Sequence, residues 1–250
     1  MSHQNLSTAP LLSFQITPSF LLEEYQADPH GWLLIPFLAG WALVYAYCFH
    51  KGGIESFARS SSAHQGHALI VCCLSAISLY HDDDTKFSES IPILFSTSYF
   101  VMDFVDCLVR VDGMFLVHAM AAIALGCCGY ISGPFRDVRL MSRGYMIELS
   151  NIQLHRWKKT KTRQDFAFLV ALFTATRIMY LPISILREVA DIIGVKNVVF
   201  GILLVLQCLQ VGWWVKMIDM LLSYKTKVAK MEDTLYSTEG ARTQDTKKNT

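Results

Sequence analysis

The sequence predicts an all-α, polytopic membrane protein with about seven transmembrane helices, and three observations carry that prediction. The first is composition. Of 250 residues, 52% are hydrophobic and 17% charged, against about 45–50% and about 25% in soluble domains. Mean hydropathy is +0.33, on the apolar side. The second is distribution: the apolar residues fall in six long blocks. Most of these reach the ~20 residues that cross ~30 Å of hydrocarbon as a helix. The third is the placement of charge, since Lys and Arg gather between blocks and more heavily on one side. The same composition excludes a disordered chain, a basic nucleic-acid binder and a disulfide scaffold. A net charge of +1 recruits no acidic partner through a global field.

The elements follow in order. Residues 31–50 (GWLLIPFLAGWALVYAYCFH) hold no acid or base before the final His50. Blocks 63–80, 90–109 and 114–132 come next, and 166–186 and 197–222 close the set. A seventh segment, 139–155 (RLMSRGYMIELSNIQLH), is polar and spans only if neighbouring helices shelter it. Residues 1–30 contain no Lys or Arg. They therefore lack the basic start of a cleavable signal peptide, and the first span reads as an uncleaved signal anchor. Residues 225–250 are polar and Lys-rich and read as a mobile tail with a helical start.

With seven spans, Lys51, Arg59, Arg110, the run from Arg156 to Arg163 and the tail share one side of the membrane. Lys86, Arg136, Arg139, Arg143, Arg187 and Lys196 share the other. The heavier side is cytosolic by the positive-inside rule, which places residues 1–30 in the lumen and the C-terminus in the cytosol. A six-span alternative puts both ends in the cytosol. The last four residues, Lys247-Lys248-Asn249-Thr250, have the form of a dilysine retrieval signal, which coat proteins read from the cytosol. This points to the endoplasmic reticulum.

All seven cysteines (Cys48, Cys72, Cys73, Cys107, Cys127, Cys128 and Cys208) lie in apolar blocks, and none forms a C-x-x-C pair. They read as small buried hydrophobes, with no metal site and no cofactor implied. Palmitoylation at Cys107 is a minor alternative.

Ionisable groups inside the spans carry the functional interest. A charge in hydrocarbon costs ~2.5–3.5 kcal/mol on the lenient insertion scale, so each needs a partner or a task. The candidates are His67, Asp103, Asp106, His118, Glu148, Arg177 and Asp219, the last near the cytosolic end of its span, where it can meet Lys216 or Lys225. Because successive spans alternate in direction, His67, Asp103, His118 and Glu148 fall in one layer, roughly 6–10 Å inside the cytosolic face. Arg177 sits deeper, at roughly 17 Å. A carboxylate can orient an imidazole, which then acts as base or nucleophile. Hence His118, Asp103, His67 and Glu148 form the candidate catalytic set. Arg177 can neutralise Glu148 or bind a phosphate or carboxylate head group. Asp106 reads as a solvated helix end, and His64 as interfacial.

Several of these residues stand in recognisable motifs. Glu148-Leu149-Ser150-Asn151, followed by Leu154, His155, Arg156 and Trp157, resembles the E-[LI]-[ST]-N-P-[FL]-L-x-x-R-W signature of the TLC-domain family. That family includes ceramide synthases and the translocating-chain-associating membrane protein. His67-Ala68-Leu69 resembles the His near the start of the domain, and Ser98-Tyr99-Phe100-Val101-Met102-Asp103 resembles its G-Y-F-x-x-D motif. Asp165-Phe166 through Thr174 and Arg177-Ile178 resembles its F-x-x-R span. The resemblance covers about 56–224, a TLC-like domain preceded by a first helix and loop at 31–55, and comes closest to the small transmembrane protein 136 type. It implies a bundle of six core helices plus an N-terminal one. It adds Tyr99, Asn151 and Arg156 to Arg177 as lipid-contacting residues.

The family usually carries a His-His pair in its fourth span, where this chain has the single His118. Ile152 replaces the signature proline, and one residue is missing before Arg156-Trp157. The resemblance therefore implies a lipid-homeostasis protein of the endoplasmic reticulum. An acyl-CoA-dependent acyltransferase and a cargo or translocation accessory protein are the alternatives.

Overall fold

The computed structural model describes Glu23, residues 27–81 and residues 83–248, with side chains as far as Ser223. The segment 1–22, the lumenal placement of the N-terminus and the side chains of Lys247 and Lys248 lie outside the described residues. Among those described there are helices and no strands.

We number the helices α1 (Gly31–Gly52), α2 (Ser56–Arg59), α3 (Ser61–His81), α4 (Ser90–Arg110), α5 (Gly113–Ile131), α6 (Gly133–Asp137), α7 (Leu140–Tyr145), α8 (Leu149–Thr160), α9 (Arg163–Ile193) and α10 (Val198–Lys248). Six are long and apolar enough to cross a membrane: α1, α3, α4, α5, α9 and, over Val198–Ser223, α10. They coincide with the six blocks read from sequence. The polar segment 139–155 becomes α7, a 3-10 turn at Met146–Glu148, and α8. Both of these helices pack along α3, so the segment is sheltered by neighbours as its polarity requires.

Local chemistry sets the turns. Gly53 ends α1 at φ +74°, a left-handed conformation that glycine adopts without penalty. Asp112 caps α5 by accepting from the Phe115 amide, which folds α4 and α5 into a hairpin. Thr162 does the same for α9 through the Asp165 amide (3.2 Å), so α8 and α9 form a second hairpin. Close approach of α4, α5 and α7 depends on glycine. A Cβ on Gly126 would collide with the Thr97 hydroxyl, and one on Gly129 with Met141. Small residues at helix contacts are how bundles pack inside a bilayer.

Two carboxylates are fully buried, and one of them departs from its expected surroundings. Asp106 is fully buried rather than solvated, and Arg110 donates to it from Nε at 2.7 Å. Cys107 is likewise buried against Arg110, which removes it as a palmitoylation site. At the opposite end of the bundle Glu89 is fully buried at the start of α4. It accepts from the Ser78 hydroxyl (2.6 Å) and from the amide (2.8 Å) and hydroxyl of Ser142. Arg139 bonds Ser78 at 2.8 Å and pairs with Asp84 at 3.1 Å. This knot ties α3, α4 and α7 together.

Residues Thr174–Leu186 of α9 are wound as a π-helix that contains Pro182. Proline lacks a donor, and widened turns accommodate it while placing side chains off the ordinary helical register. One backbone group released in this stretch is recovered from outside: Gln207 Nε2 donates to the Arg177 carbonyl at 3.2 Å.

Candidate functional site

The ends of α3, α4, α5, α8, α9 and α10 that share one side of the bundle enclose a cavity of about 430 Å³. Its floor is an ion pair. Arg177, which is 3% exposed, reaches Glu148 Oε1 from Nη2 at 3.4 Å, and donates to Ser150 Oγ from Nε at 2.8 Å and to Gln210 Oε1 from Nη1 at 3.1 Å. Asn151 Nδ2 donates to the other Glu148 oxygen. A buried pair is tolerable only when its remaining donors and acceptors are matched in this way. The Arg177 guanidinium also lies over the Phe173 ring at 5.3 Å.

One wall is built from imidazoles and a tyrosine. His67 is 2% exposed, stacks on Tyr99 with ring centroids 3.8 Å apart, and shares a 3.2 Å hydrogen bond from Nε2 with Ser96. The Tyr99 hydroxyl meets His64 Nδ1 at 2.6 Å, and His155 stacks on His64 at 5.8 Å. His64 is thus part of the cavity wall. The facing wall carries His118, whose Nδ1 is buried without a hydrogen-bond partner. Its ring is set edge-on to Phe100 (5.8 Å) and Trp213 (5.9 Å). Asp103 lines the same cavity and makes no hydrogen bond or ion pair with the described residues.

Seven of the residues singled out from sequence therefore line one space: His67, Tyr99, Asp103, His118, Glu148, Asn151 and Arg177. Arg156 does not. It is exposed and pairs with Asp165 at 3.0 Å. The carboxylate–imidazole pairing expected from shared depth is not formed, because Glu148 is taken up by Arg177 and Asn151, and Asp103 bonds neither His67 nor His118. Sequence reasoning passed over Ser150, Gln210, His64, His155, Trp213, Lys158 and Lys216 as site residues. Ser150 stands inside the signature segment, and Gln210 is a polar residue in the middle of an apolar span. Both were findable by the cost of burying an unpaired amide or hydroxyl.

A second, apolar chamber of about 110 Å³ opens beyond the first. Its lining includes Leu125, Phe135, Leu181, Ile185, Val189 and Leu203. Phe100, His118, Glu148 and Arg177 belong to the walls of both spaces. The wider cavity carries the charged and imidazole side chains, the smaller chamber is apolar, and His118 and the Arg177–Glu148 pair belong to both.

The family profile described as the TLC domain matches residues 28–219. No curated protein and no solved structure matches the chain. The profile spans all the helices that build the cavity and takes in α1 as well. With six apolar helices long enough to cross a membrane and most of the chain matched, this protein belongs to the TLC-domain family.

Proposed function

We propose that this multi-pass protein binds a lipid, with the head group in the polar cavity and the acyl chain in the apolar chamber, and so influences membrane lipid composition. The observation that carries the proposal is the shared wall of the two spaces at Phe100, His118, Glu148 and Arg177. A head-and-tail ligand needs that sequence of surfaces, and the larger cavity, at about 430 Å³, lies in the range of ordinary small-molecule sites, about 300–1,000 Å³. Tyr99 and Asn151 face the head group, and Arg177 fixes the junction. Within the family the small transmembrane protein 136 type is the relative we favour. The place of action is the endoplasmic reticulum membrane, with the C-terminus cytosolic. Support comes from the dilysine form of Lys247-Lys248-Asn249-Thr250, which coat proteins would recognise, and from the uneven spread of Lys and Arg.

A second reading is an acyl-CoA-dependent acyltransferase, and His118 favours it. Its buried, unpartnered ring nitrogen stands where the carbonyl end of a chain in the apolar chamber would lie. His118 would serve as base or acyl acceptor, with Asp103 an unpaired carboxylate in the wall of the same cavity. Lipid profiling of a deletion strain, rescued with wild type or His118→Ala, tests both readings. The lipid-handling reading expects an altered acyl composition that wild type restores. If His118→Ala folds, binds lipid and still fails to rescue, the acyltransferase reading is supported. An unchanged profile would overturn both and favour a cargo or translocation role.

A further inference from the structure

The seam where α3, α4 and α7 pack against one another gathers buried hydroxyls. Ser75 and Ser78 of α3, Ser96 of α4 and Ser142 of α7 are each wholly inaccessible. A serine that only lets helices approach returns its proton to its own helix. Ser98 does so, donating to the Leu94 carbonyl at 2.7 Å. The four seam serines do not. Ser78 and Ser142 donate to Glu89, and Ser96 meets His67 Nε2 at 3.2 Å. The Ser75 hydroxyl is buried with no hydrogen-bond partner among the described residues.

Taken in order of depth, these groups join the far end of the bundle to the cavity. Exposed Asp84 pairs with Arg139 Nη1 at 3.1 Å, and the same nitrogen donates to Ser78 Oγ at 2.8 Å. Ser78 and Ser142 share one Glu89 oxygen. Tyr145 follows Ser142 by one turn of α7, and its phenol lies beside the Ser96 and Thr97 hydroxyls. Ser75 is one turn from Ser78 on α3 and one turn from Cys72, whose thiol reaches the Tyr145 carbonyl at 3.6 Å. From Ser96 the line passes to His67, which lines the cavity. Glu89 and Ser96 are separated by a rise of roughly 10 Å along α4, and Tyr145 and Ser75 fall within that interval.

A buried hydroxyl without a partner is costly unless water supplies one. We propose that this seam is a proton path from Glu89 to His67, completed by ordered water at Ser75. Each oxygen takes a proton from one neighbour and releases its own to the next, so only O–H and N–H bonds form and break. His67 takes a proton at Nε2 and gives up the one on its other ring nitrogen to the cavity. One proton enters from water at the Asp84 end for each one that leaves into the cavity. The transfer moves one positive charge, and a pH difference or a membrane potential drives it. The hydroxyls are closed to solvent, so hydrated ions are excluded.

The test is proton flux through the full-length protein in liposomes that hold a pH-sensitive dye, under a potassium diffusion potential set by valinomycin. Wild type is expected to acidify the vesicle interior faster than protein-free liposomes do, with no accompanying sodium uptake. Ser96→Ala and Tyr145→Phe each remove one oxygen from the line and should lower the rate to that of protein-free liposomes. Ser98→Ala, off the line, should leave it unchanged. Thermal unfolding checks that each variant is folded, and if Tyr145→Phe is not, Ser96→Ala carries the comparison. A wild-type rate equal to that of protein-free liposomes overturns the path without recourse to any variant. So does a folded Ser96→Ala that conducts as wild type does. Neither result bears on the lipid-binding reading, which uses other walls of the cavity.

Discussion

The Arg177–Glu148 pair offers a quantitative test of how the bundle is held. Its two side chains are 4% and 10% exposed, so solvent screening removes little of the interaction. Replacing Arg177 with Met deletes three hydrogen bonds, to Glu148, Ser150 and Gln210, and leaves the Glu148 carboxylate buried with only Asn151 as partner among the described residues. Breaking a buried pair from one side costs about 3–5 kcal/mol. For a chain of this size that corresponds to a fall in Tm of roughly 6–20 °C. Removing both charges, as Arg177→Met with Glu148→Gln, eliminates the uncompensated carboxylate. The double variant should therefore regain about 1–3 kcal/mol over the sum of the single effects. Thermal or SDS unfolding of the four proteins in matched micelles measures the cycle. A single-variant cost below about 1 kcal/mol, or strict additivity, would refute the pairing as an organising contact.

Other outcomes follow from the same contacts. Glu89→Ala strips the far knot of the acceptor for Ser78 and Ser142 and removes a carboxylate that pairs with Arg139, and should cost about 3–5 kcal/mol in the same unfolding assay. Gly126→Leu forces α4 and α5 apart at Thr97 and should destabilise by about 1–3 kcal/mol, whereas Gly40→Leu, on an open face of α1, should be neutral. Asp112→Ala removes the cap of α5 at a cost of about 0.5–2 kcal/mol. Lys247→Ser with Lys248→Ser should release the protein from reticular staining to later compartments, and persistence there would show that the tail is not the signal.

The helical blocks were legible in the sequence because length and hydropathy alone dictate spans. Rise per residue and alternating direction lead one to expect His67, Asp103, His118 and Glu148 near one another, and all four line one cavity. Facing was not, because helix rotation is set by packing rather than by composition. That is why the sequence does not show that His64, one turn before His67 on α3, meets the Tyr99 hydroxyl. It is also why Asp106 was placed in solvent: nothing in the spacing reveals that Arg110 folds back over it. The π-helical stretch from Thr174 has no periodicity signal, yet it aims Arg177 at Glu148 and Gln210. The apolar chamber was hidden for a simpler reason. Leu181, Ile185 and Leu203 are indistinguishable in sequence from residues that face lipid or fill a core.

The most direct test of the account is an experimental map of the protein in nanodiscs supplied with a single-chain phospholipid. The account predicts elongated density that starts in the cavity lined by Tyr99, Asp103 and Asn151, passes His118 and Arg177, and enters the chamber bordered by Leu181 and Leu203. Well-resolved density for these walls with both spaces closed or filled by side chains would contradict it, as would a lipid bound only on the outer faces of α1 and α10.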